Sequence, residues 1–294
     1  MPIIIPANSA ASGGYDVDNS LRFTDGSSDY LNRTPSSASN RRTFTISTWI
    51  KLNLQFSGSS TTSSIFSAHY ADNTTGHFVW RIDSDGKIGW SQWSNDSYSN
   101  RRLRDESAWY HCVLAVDTTQ GTASNRIKLY INNEQITSFA SGPVYPSQNE
   151  ELPVNNNNKQ VIGANSYSST ANYYNGYMAE TVLIDGSALA PTSFGEFDED
   201  SEIWKPIDVS GLTFGTNGFY LDFENSGALG ADVSGNTNNF TVNNLAAIDQ
   251  TTDTCTNNFA TLNGIDNGYG AIDFTDGNTQ AQGSSSGWQP ARAT

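Results

Sequence analysis

Basic residues are scarce in this sequence of 294 residues. Lysine and arginine together number 15, against 30 aspartates and glutamates, so the formal net charge at pH 7 is −15. A surface this acidic repels the phosphates of nucleic acids and of anionic lipids. We therefore expect no nucleic-acid partner and no binding to anionic membranes.

Long apolar runs are also missing. The N-terminal run, residues 1–6, has no basic residue ahead of its three isoleucines, and it is shorter than a secretory signal or a membrane span. We expect neither membrane insertion nor an ordinary secretion signal. Cys112 and Cys255 are the only cysteines, too few for a disulfide framework, so we predict two free thiols.

Sequence motifs of catalysis are absent as well. The three histidines, His69, His77 and His111, do not have the spacing of a metal site. The chain has no Gly-x-Ser-x-Gly elbow, no P-loop and no Gly-x-Gly-x-x-Gly segment opening a helix. We predict that the chain is not an enzyme, and we assign no catalytic residue.

What the sequence does contain is strand periodicity. Residues 109–117 are apolar on both parities, which is typical of an inner strand, whereas residues 127–132 alternate between apolar and polar. Asn132-Asn133 and Asp85-Gly86 suit tight hairpin turns because these residues tolerate positive φ. One short helix is predicted within residues 187–195, and no other segment has a helical period. We therefore predict an all-β fold.

Three of these units resemble a known family. Residues 43–51 match its Phe-Thr-x-Ser-x-Trp-x-Lys strand, Trp109-Tyr110-His111 opens its central hairpin, and residues 176–184 are similar to its Ile-Ala-Glu strand. The family comprises the laminin-G-like and pentraxin-like domains of the concanavalin A-like lectins. The resemblance implies a concanavalin A-like jelly-roll β-sandwich over residues 20–204. An extended N-terminal arm, residues 1–19, would precede it.

Residues 205–294 are expected to form a C-terminal β extension and tail. Residues 232–240 resemble the opening of a further repeat, but too little sequence follows for a second complete copy. The strands of this partial unit either close the sandwich from which they hang or add to the edge of another subunit.

Three segments, residues 190–195, 215–223 and 256–263, resemble in their order a set found in virion proteins of tailed phages, marine phages especially. The resemblance implies a structural virion protein, such as a tail fibre, head fibre or capsid decoration. Such a protein is assembled in the host cytoplasm and exposed on the particle. Its expected partners are other virion proteins, copies of itself (a trimer would suit a fibre) and a host surface glycan. The alternatives are a free-standing carbohydrate-binding module and, third, a glycoside hydrolase.

Aromatic side chains are the candidate sugar-binding residues, because an aromatic face combines apolar area with a polar edge. We place Trp49, Trp80 and Trp109 in the core. The candidates for an exposed stacking patch are flanked by serine and asparagine: Trp93, Tyr98, Tyr173 and Tyr174.

Arg101, Arg102 and Arg104 form a basic cluster in an acidic chain. They either make ion pairs within the chain or form a subunit interface that docks on an acidic neighbour. We also expect Glu180 to share a strand face with Met178 and to accept hydrogen bonds from the backbone of a neighbouring loop.

The family resemblance leaves two further alternatives open. Ca²⁺ is bound by acidic rim loops in many such domains, and this chain has similar residues at Asp72-Asn73, Asp83, Asp85 and Asp117, although no EF-hand spacing. The acidic segment 196–202 resembles in part the Glu-x-Asp-x-x-Glu strand of laminarinases, in which the two glutamates catalyse retaining hydrolysis. Here Ser201 stands where the second glutamate is required, so we interpret this segment as an exposed loop.

Overall fold

The computed structural model describes residues 14–54, 62–70, 76–92, 95–140, 142–165, 170–262, 272–275 and 279–283. Within these ranges the chain has no α-helix, and therefore no helix that could cross a membrane. Four short 3₁₀ turns occur, at Asp25–Ser27, Ala123–Asn125, Pro191–Ser193 and Ala247–Asp249. The predicted short helix is therefore one 3₁₀ turn, because strand structure resumes at Gly195. The all-β prediction is confirmed.

The strands of the described residues are β1 (Ser20–Phe23), β2 (Tyr30–Arg33), β3 (Thr43–Leu52), β4 (Thr62–His69), β5 (His77–Asp83), β6 (Lys87–Gln92), β7 (Asn95–Arg102), β8 (Trp109–Asp117), β9 (Ile127–Ile131), β10 (Glu134–Gln135), β11 (Gln160–Ile162), β12 (Gly176–Asp185), β13 (Gly195–Phe197), β14 (Trp204–Pro206), β15 (Phe219–Leu221), β16 (Thr241–Asn243), β17 (Gln250–Thr251), β18 (Ile272–Thr275) and β19 (Gln280–Gly283). Two large antiparallel sheets contain most of them. The eight-stranded sheet has the order β10-β9-β8-β3-β12-β1-β17, with β15 also paired to β12, and the seven-stranded sheet has the order β16-β2-β11-β4-β5-β6-β7.

The main core lies between these two sheets. Trp80 and Trp90 of the seven-stranded sheet are at most 1 % exposed and belong to the same cluster as Leu114 and Ile46 of the eight-stranded sheet. Alternate residues of each strand supply this layer, because side chains of a strand point to opposite faces in turn. The architecture is the two-sheet sandwich that the sequence predicted.

Two predicted hairpin turns are confirmed. Asn132 and Asn133 have φ values of 48° and 67°, and Gly86 has a φ of 75°. These left-handed conformations are the ones that Asn and Gly adopt with little strain. Local turn chemistry therefore determines where β5 joins β6 and where β9 joins β10.

The C-terminal part of the chain closes its own sandwich. β15 pairs with β12, β16 pairs with β2, and β17 pairs with β1, so residues 219–251 contribute to both large sheets. These strands therefore close the sandwich of their own chain, which is the first of the two predicted alternatives. The terminal hairpin of β18 and β19 forms a separate two-stranded sheet.

The outer face of the eight-stranded sheet is covered by the N-terminal segment around Val17 and by residues 194–220. Trp49 and Trp109 lie on this face, and they pack with Val17 of the N-terminal segment and Trp204 of β14. A second cluster joins Val113 of β8 to residues of the segment 194–220. All three tryptophans predicted to be buried are buried, but only Trp80 belongs to the core between the sheets.

A β-bulge interrupts β12 at Glu180, which has a φ of 49°. The bulge moves Val182 to the outer face, whereas Met178 faces the other sheet. The predicted shared face of Glu180 and Met178 is therefore wrong, since an alternation count assumes an unbroken strand. Glu180 is 6 % exposed and accepts hydrogen bonds from the hydroxyls of Tyr220 (2.6 Å) and Tyr15 (3.2 Å), not from a loop backbone.

Candidate functional site

The outer face of the seven-stranded sheet carries mostly polar side chains. Phe78 and Trp80 of β5 belong to the core between the sheets, so Val79 and Arg81 point to the outer face. The strand register extends this assignment to one row across the sheet: Thr241, Asn32, Val161, Ser67, Val79, Ser91 and Asp96. Only the two valines of this row are apolar. We call this face of the sheet the outer groove.

The middle of the outer groove is buried and its ends are accessible. Ser67, Val79 and Ser91 are at most 1 % exposed, whereas Thr241 and Asp96 at the two ends of the row are exposed. The row therefore has a buried floor between two accessible rims.

Two histidines lie side by side on the floor. The rings of His69 and His77 have centroids 5.4 Å apart. His69 Nε2 lies 2.6 Å from Asn165 Oδ1, and His77 Nε2 lies 3.1 Å from Ser91 Oγ. Burial lowers the pKa of His69 to about 4 and also lowers the pKa of His77. Both imidazoles are therefore neutral at pH 7, and each provides one donor and one acceptor without a charge.

One rim of the groove is built around Tyr98 of β7. The guanidinium of Arg81 lies 5.7 Å from the centre of the Tyr98 ring and pairs with Asp96. Gly89 stands between Arg81 and Tyr98 in the register, and a Cβ there would lie 1.9 Å from the carbonyl oxygen of Ser97. Because Gly89 has no side chain, the arginine reaches across β6 to the tyrosine ring.

The opposite rim is built around Tyr30 of β2. Its ring centroid is 6.2 Å from that of Tyr173, and Lys159 Nζ lies 5.3 Å from its centre. Nearby, Asn243 Nδ2 donates to Asn32 Oδ1 at 2.7 Å. At a strand spacing of about 4.8 Å, the five steps from β2 to β7 place the two rims about 24 Å apart.

The four predicted sugar-binding aromatics therefore do not form one patch. Tyr98 and Tyr173 lie at opposite rims, and Trp93 lies outside the described residues. Tyr174 is fully buried, with its ring 6.0 Å from Phe23 and its hydroxyl 3.3 Å from the carbonyl oxygen of Lys51. A ring with no exposed face cannot stack on a ligand, so the prediction is wrong for Tyr174.

Sequence reasoning missed the polar floor and the second rim. The sequence pattern tests His69 and His77 only as metal ligands. It assigns no role to Arg81 or Tyr30. The signal was present in β5, where His77 and Arg81 alternate with the core residue Trp80. What the sequence did not reveal is that other strands place serine and asparagine in the same row.

The arginine cluster makes ion pairs within the chain. Arg101 pairs with Glu134 at 2.6 Å, and Arg102 pairs with Asp85 at 3.0 Å. These contacts agree with the predicted alternative in which the cluster makes ion pairs within the chain. Arg104 is exposed.

The calcium candidates that can be described serve their own turns. Asp83 Oδ1 accepts from the backbone N–H groups of Asp85 and Lys87, and Asp117 Oδ1 accepts from that of Thr119. Within the described ranges, no three His, Cys, Asp or Glu side chains come together as a metal site would require. Asp72-Asn73 lies outside those ranges.

The acidic segment forms the exposed hairpin of β13 and β14. Lys205 Nζ lies 3.1 Å from Asp198 and 3.5 Å from Glu196, beside a cleft of about 460 Å³ that Trp204 and Cys255 also line. Retaining hydrolysis requires two carboxyl groups that face each other across a bound sugar. A hairpin whose carboxylates share one lysine does not provide that arrangement.

A buried serine–histidine contact lies beneath this hairpin. Ser47 Oγ is 2.8 Å from His111 Nε2, and Trp204 Nε1 donates to His111 Nδ1 at 3.0 Å. An indole N–H only donates, so Nδ1 holds the lone pair and the proton of the neutral ring is on Nε2. Burial lowers the pKa of His111 to about 3. His111 therefore donates to Ser47 and cannot act as its general base.

Comparison with known proteins agrees with the fold. The family model for the concanavalin A-like lectin/glucanases superfamily, of laminin-G type, matches residues 25–192, which is more than half of the chain. No curated protein sequence matches the chain.

The solved structures to which the chain is similar are distant from it in sequence. A candidate carbohydrate binding protein from Bacteroides ovatus shares 15 % identity at a TM-score of 0.51, over 78 % of this chain and 59 % of that chain. The SAP-like pentraxin of Limulus polyphemus shares 16 % identity at a TM-score of 0.43, over 60 % of this chain and 80 % of that one. The likeness to the Bacteroides protein shows the fold alone. On the family match and the two-sheet sandwich, the chain belongs to the concanavalin A-like lectin/glucanase superfamily.

Proposed function

We propose that the chain is a non-catalytic lectin-like protein that binds an oligosaccharide in the outer groove. The observation that carries this proposal is the composition of the groove, in which two tyrosines and exposed polar side chains such as Thr241 and Asp96 flank a buried polar centre. A sugar offers hydroxyl groups that hydrogen-bond to the exposed polar groups and C–H faces that pack on aromatic rings. The distance of about 24 Å between the rims suits several linked sugars better than one.

The charge of the groove supports an uncharged or weakly acidic glycan. His69 and His77 are neutral at pH 7, and Arg81 is paired with Asp96. Lys159 brings a positive charge to the Tyr30 rim of a protein that is otherwise acidic. The net charge of −15 disfavours a strongly anionic glycan.

A glycan array with the purified chain tests this proposal. Wild type should bind a defined set of oligosaccharides, and Tyr98→Ala and Tyr30→Ala should each weaken binding at least about tenfold, the equivalent of about 1.4 kcal/mol. The matched control is Phe197→Ala, which removes an aromatic ring that is 53 % exposed but lies on the β13–β14 hairpin. Equal losses in all three variants, or no binding by wild type, would contradict the proposal.

We propose in addition that the chain works on the surface of a tailed-phage particle, as a homo-oligomer. Support comes from the phage-like segments 190–195, 215–223 and 256–263. Most of their described residues lie against the sandwich itself, where they position Phe194 and Phe219 in buried clusters. The resemblance therefore concerns the folded unit and not a detachable tail.

Peptide mass spectrometry of purified phage particles that carry the gene tests this second proposal. Peptides of the chain should be present at the copy number of a structural protein. Light scattering of the isolated chain should give a multiple of the monomer mass. Particles without the chain would exclude a virion role while leaving the glycan proposal intact.

A further inference from the structure

Lys51 is a buried lysine with an unusual set of partners. It lies on β3 and is 1 % exposed. Its Nζ lies 2.8 Å from Asp253 Oδ2, 2.9 Å from Asn258 Oδ1 and 2.7 Å from the carbonyl oxygen of Phe259. The three partners belong to one C-terminal segment, and Lys51 and Asn258 are 207 residues apart in the chain.

Aromatic rings surround the lysine. Its Nζ lies 6.0 Å from the centre of the Tyr177 ring, and Trp109 Nε1 donates to the same aspartate, Asp253 Oδ1, at 3.2 Å. Burial lowers the pKa of Lys51. A desolvated lysine that can lose its proton to a neighbouring carboxylate is an activated amine nucleophile.

The aspartate is positioned to carry that proton. Its Oδ1 accepts from Trp109 and from the backbone N–H of Phe259, which leaves Oδ2 directed at Lys51. Asp253 is 3 % exposed, so water does not compete for this oxygen. A carboxylate within hydrogen-bond reach of an amine is a competent general base.

The side-chain amide of Asn258 is placed where the Lys51 amine can attack it. Its Oδ1 faces Lys51, and its Nδ2 donates at 2.9 Å to the carbonyl oxygen of Ser107 on the solvent side. The side-chain carbon Cγ is one C=O bond, about 1.23 Å, from the oxygen that contacts the lysine. Because Asn258 is exposed, a leaving ammonia can pass directly into solvent.

We propose that Lys51 and Asn258 form an intrachain isopeptide bond, with Asp253 as the general acid–base. Asp253 takes a proton from the Lys51 ammonium, and the free amine attacks Cγ of Asn258. The new bond joins Nζ to Cγ, and the bond from Cγ to Nδ2 breaks as Asp253 returns the proton to the leaving nitrogen. Asp253 then takes the second proton from Nζ, which leaves a neutral amide, one ammonia and a protonated Asp253. One ammonia is lost, and no oxidant or other reactant is required.

The new bond to Lys51 forms at Asn258 and not at Asp253. Asp253 holds the proton that the leaving nitrogen needs, so it cannot act as the acid–base and be attacked in the same step. The Asn258 amide is neutral and its carbonyl is polarised by the contact with Nζ. The bond would tie the segment 253–259 permanently to the central strand β3, and a crosslink that closes so long a loop is expected to stabilise the fold by up to several kcal/mol.

Intact-mass spectrometry of the folded chain is the test. Wild type should be lighter than its sequence mass by one ammonia, about 17 Da. Protease digestion should give one branched peptide that contains both Lys51 and Asn258. A folded wild type at the full sequence mass, with the two residues in separate peptides, would overturn the proposal.

Variants identify the residues involved. Lys51→Arg, Asp253→Asn and Asn258→Asp should each keep the full mass of their sequences, and circular dichroism identifies which of them fold. Asn258→Asp is the matched control, because it preserves shape and a partner for the lysine but has no ammonia to lose.

A loss of about 17 Da confined to one linear peptide would indicate a succinimide at an asparagine and contradict the crosslink. A link between Lys51 and Asp253, with loss of about 18 Da, would contradict the assignment to Asn258.

Discussion

The outer faces of the two sheets are both buried at their centres, but one is apolar and the other is polar. On the eight-stranded sheet, Trp49 and Val113 point outward and are covered by Val17 and by residues 194–220. On the seven-stranded sheet, Ser67 and Ser91 occupy comparable positions beside neutral histidines. A strand that is apolar on both parities, such as β8, indicates a sheet covered on both sides. On the function proposed above, the first face serves stability and the second serves recognition.

Truncating a side chain on the covered face should lower the free energy of unfolding more than any change in the outer groove or in the arginine cluster. Trp204 is 8 % exposed and its indole N–H is bonded to buried His111. We expect Trp204→Ala to lower the free energy of unfolding by about 3–5 kcal/mol, since it leaves a cavity and an unpaired nitrogen. Urea denaturation measures this loss. Tyr98→Ala in the groove is the comparison and should cost less than about half as much; equal losses would remove the distinction between the faces.

The covered face should also govern how stability depends on pH. Burial raises the pKa of Glu180 from 4.5 to about 7. The unfolded carboxyl loses its proton near pH 4.5 and the folded one near pH 7, so this group makes the fold less stable as pH rises across that window. Glu180→Gln stays neutral throughout. It should match wild type near pH 4.5 and exceed it by about 3 kcal/mol near pH 8, since one pKa unit corresponds to about 1.4 kcal/mol.

Denaturation of both proteins at several pH values checks the Glu180 prediction, and the difference between them cancels the contribution of the histidines. A difference that does not change with pH would mean that the pKa of Glu180 is the same in the folded and the unfolded protein.

Ligand binding in the outer groove should depend little on pH by comparison. The pKa of His69 is lowered to about 4 and that of His77 is also lowered, so His69 stays neutral down to about pH 5. The affinity for a glycan selected on the array should change less than about threefold between pH 8 and pH 6, about 0.6 kcal/mol. Titration calorimetry measures it. A fall of about fourfold or more on acidification to pH 6 would show that a groove histidine titrates near its ordinary pKa of about 6.5.

The arginine cluster should have the smallest effect on stability. Its ion pairs with Glu134 and Asp85 are exposed, and exposed pairs are worth at most about 1 kcal/mol. The triple variant Arg101→Ala, Arg102→Ala, Arg104→Ala should unfold within about 1 kcal/mol of wild type, with the same mass by light scattering. A fall in mass would instead support the predicted subunit interface.

Much of the fold could be predicted from the sequence because its signals are local. Alternation in residues 43–51 and the turn residues Asn132, Asn133 and Gly86 act over a few neighbours, and the structure confirms each of them. The candidate site was predicted less well. Tyr98 and Tyr173 do lie at the groove, but Tyr174 is buried by Phe23 of a distant strand, a contact that no local pattern reveals.

By itself, the sequence determined that the chain is all-β, where its hairpins turn and which strands are apolar on both sides, because these properties depend on residues close together in the chain. Only the tertiary structure decided which face is covered, which way the bulge at Glu180 turns its neighbours and which partners Lys51 meets. Those outcomes depend on contacts such as Tyr15 with Glu180 and Lys51 with Asp253, which are 165 and 202 residues apart. Pairings at such separations arise from the folded arrangement of the sheets, and no periodicity in the sequence encodes them.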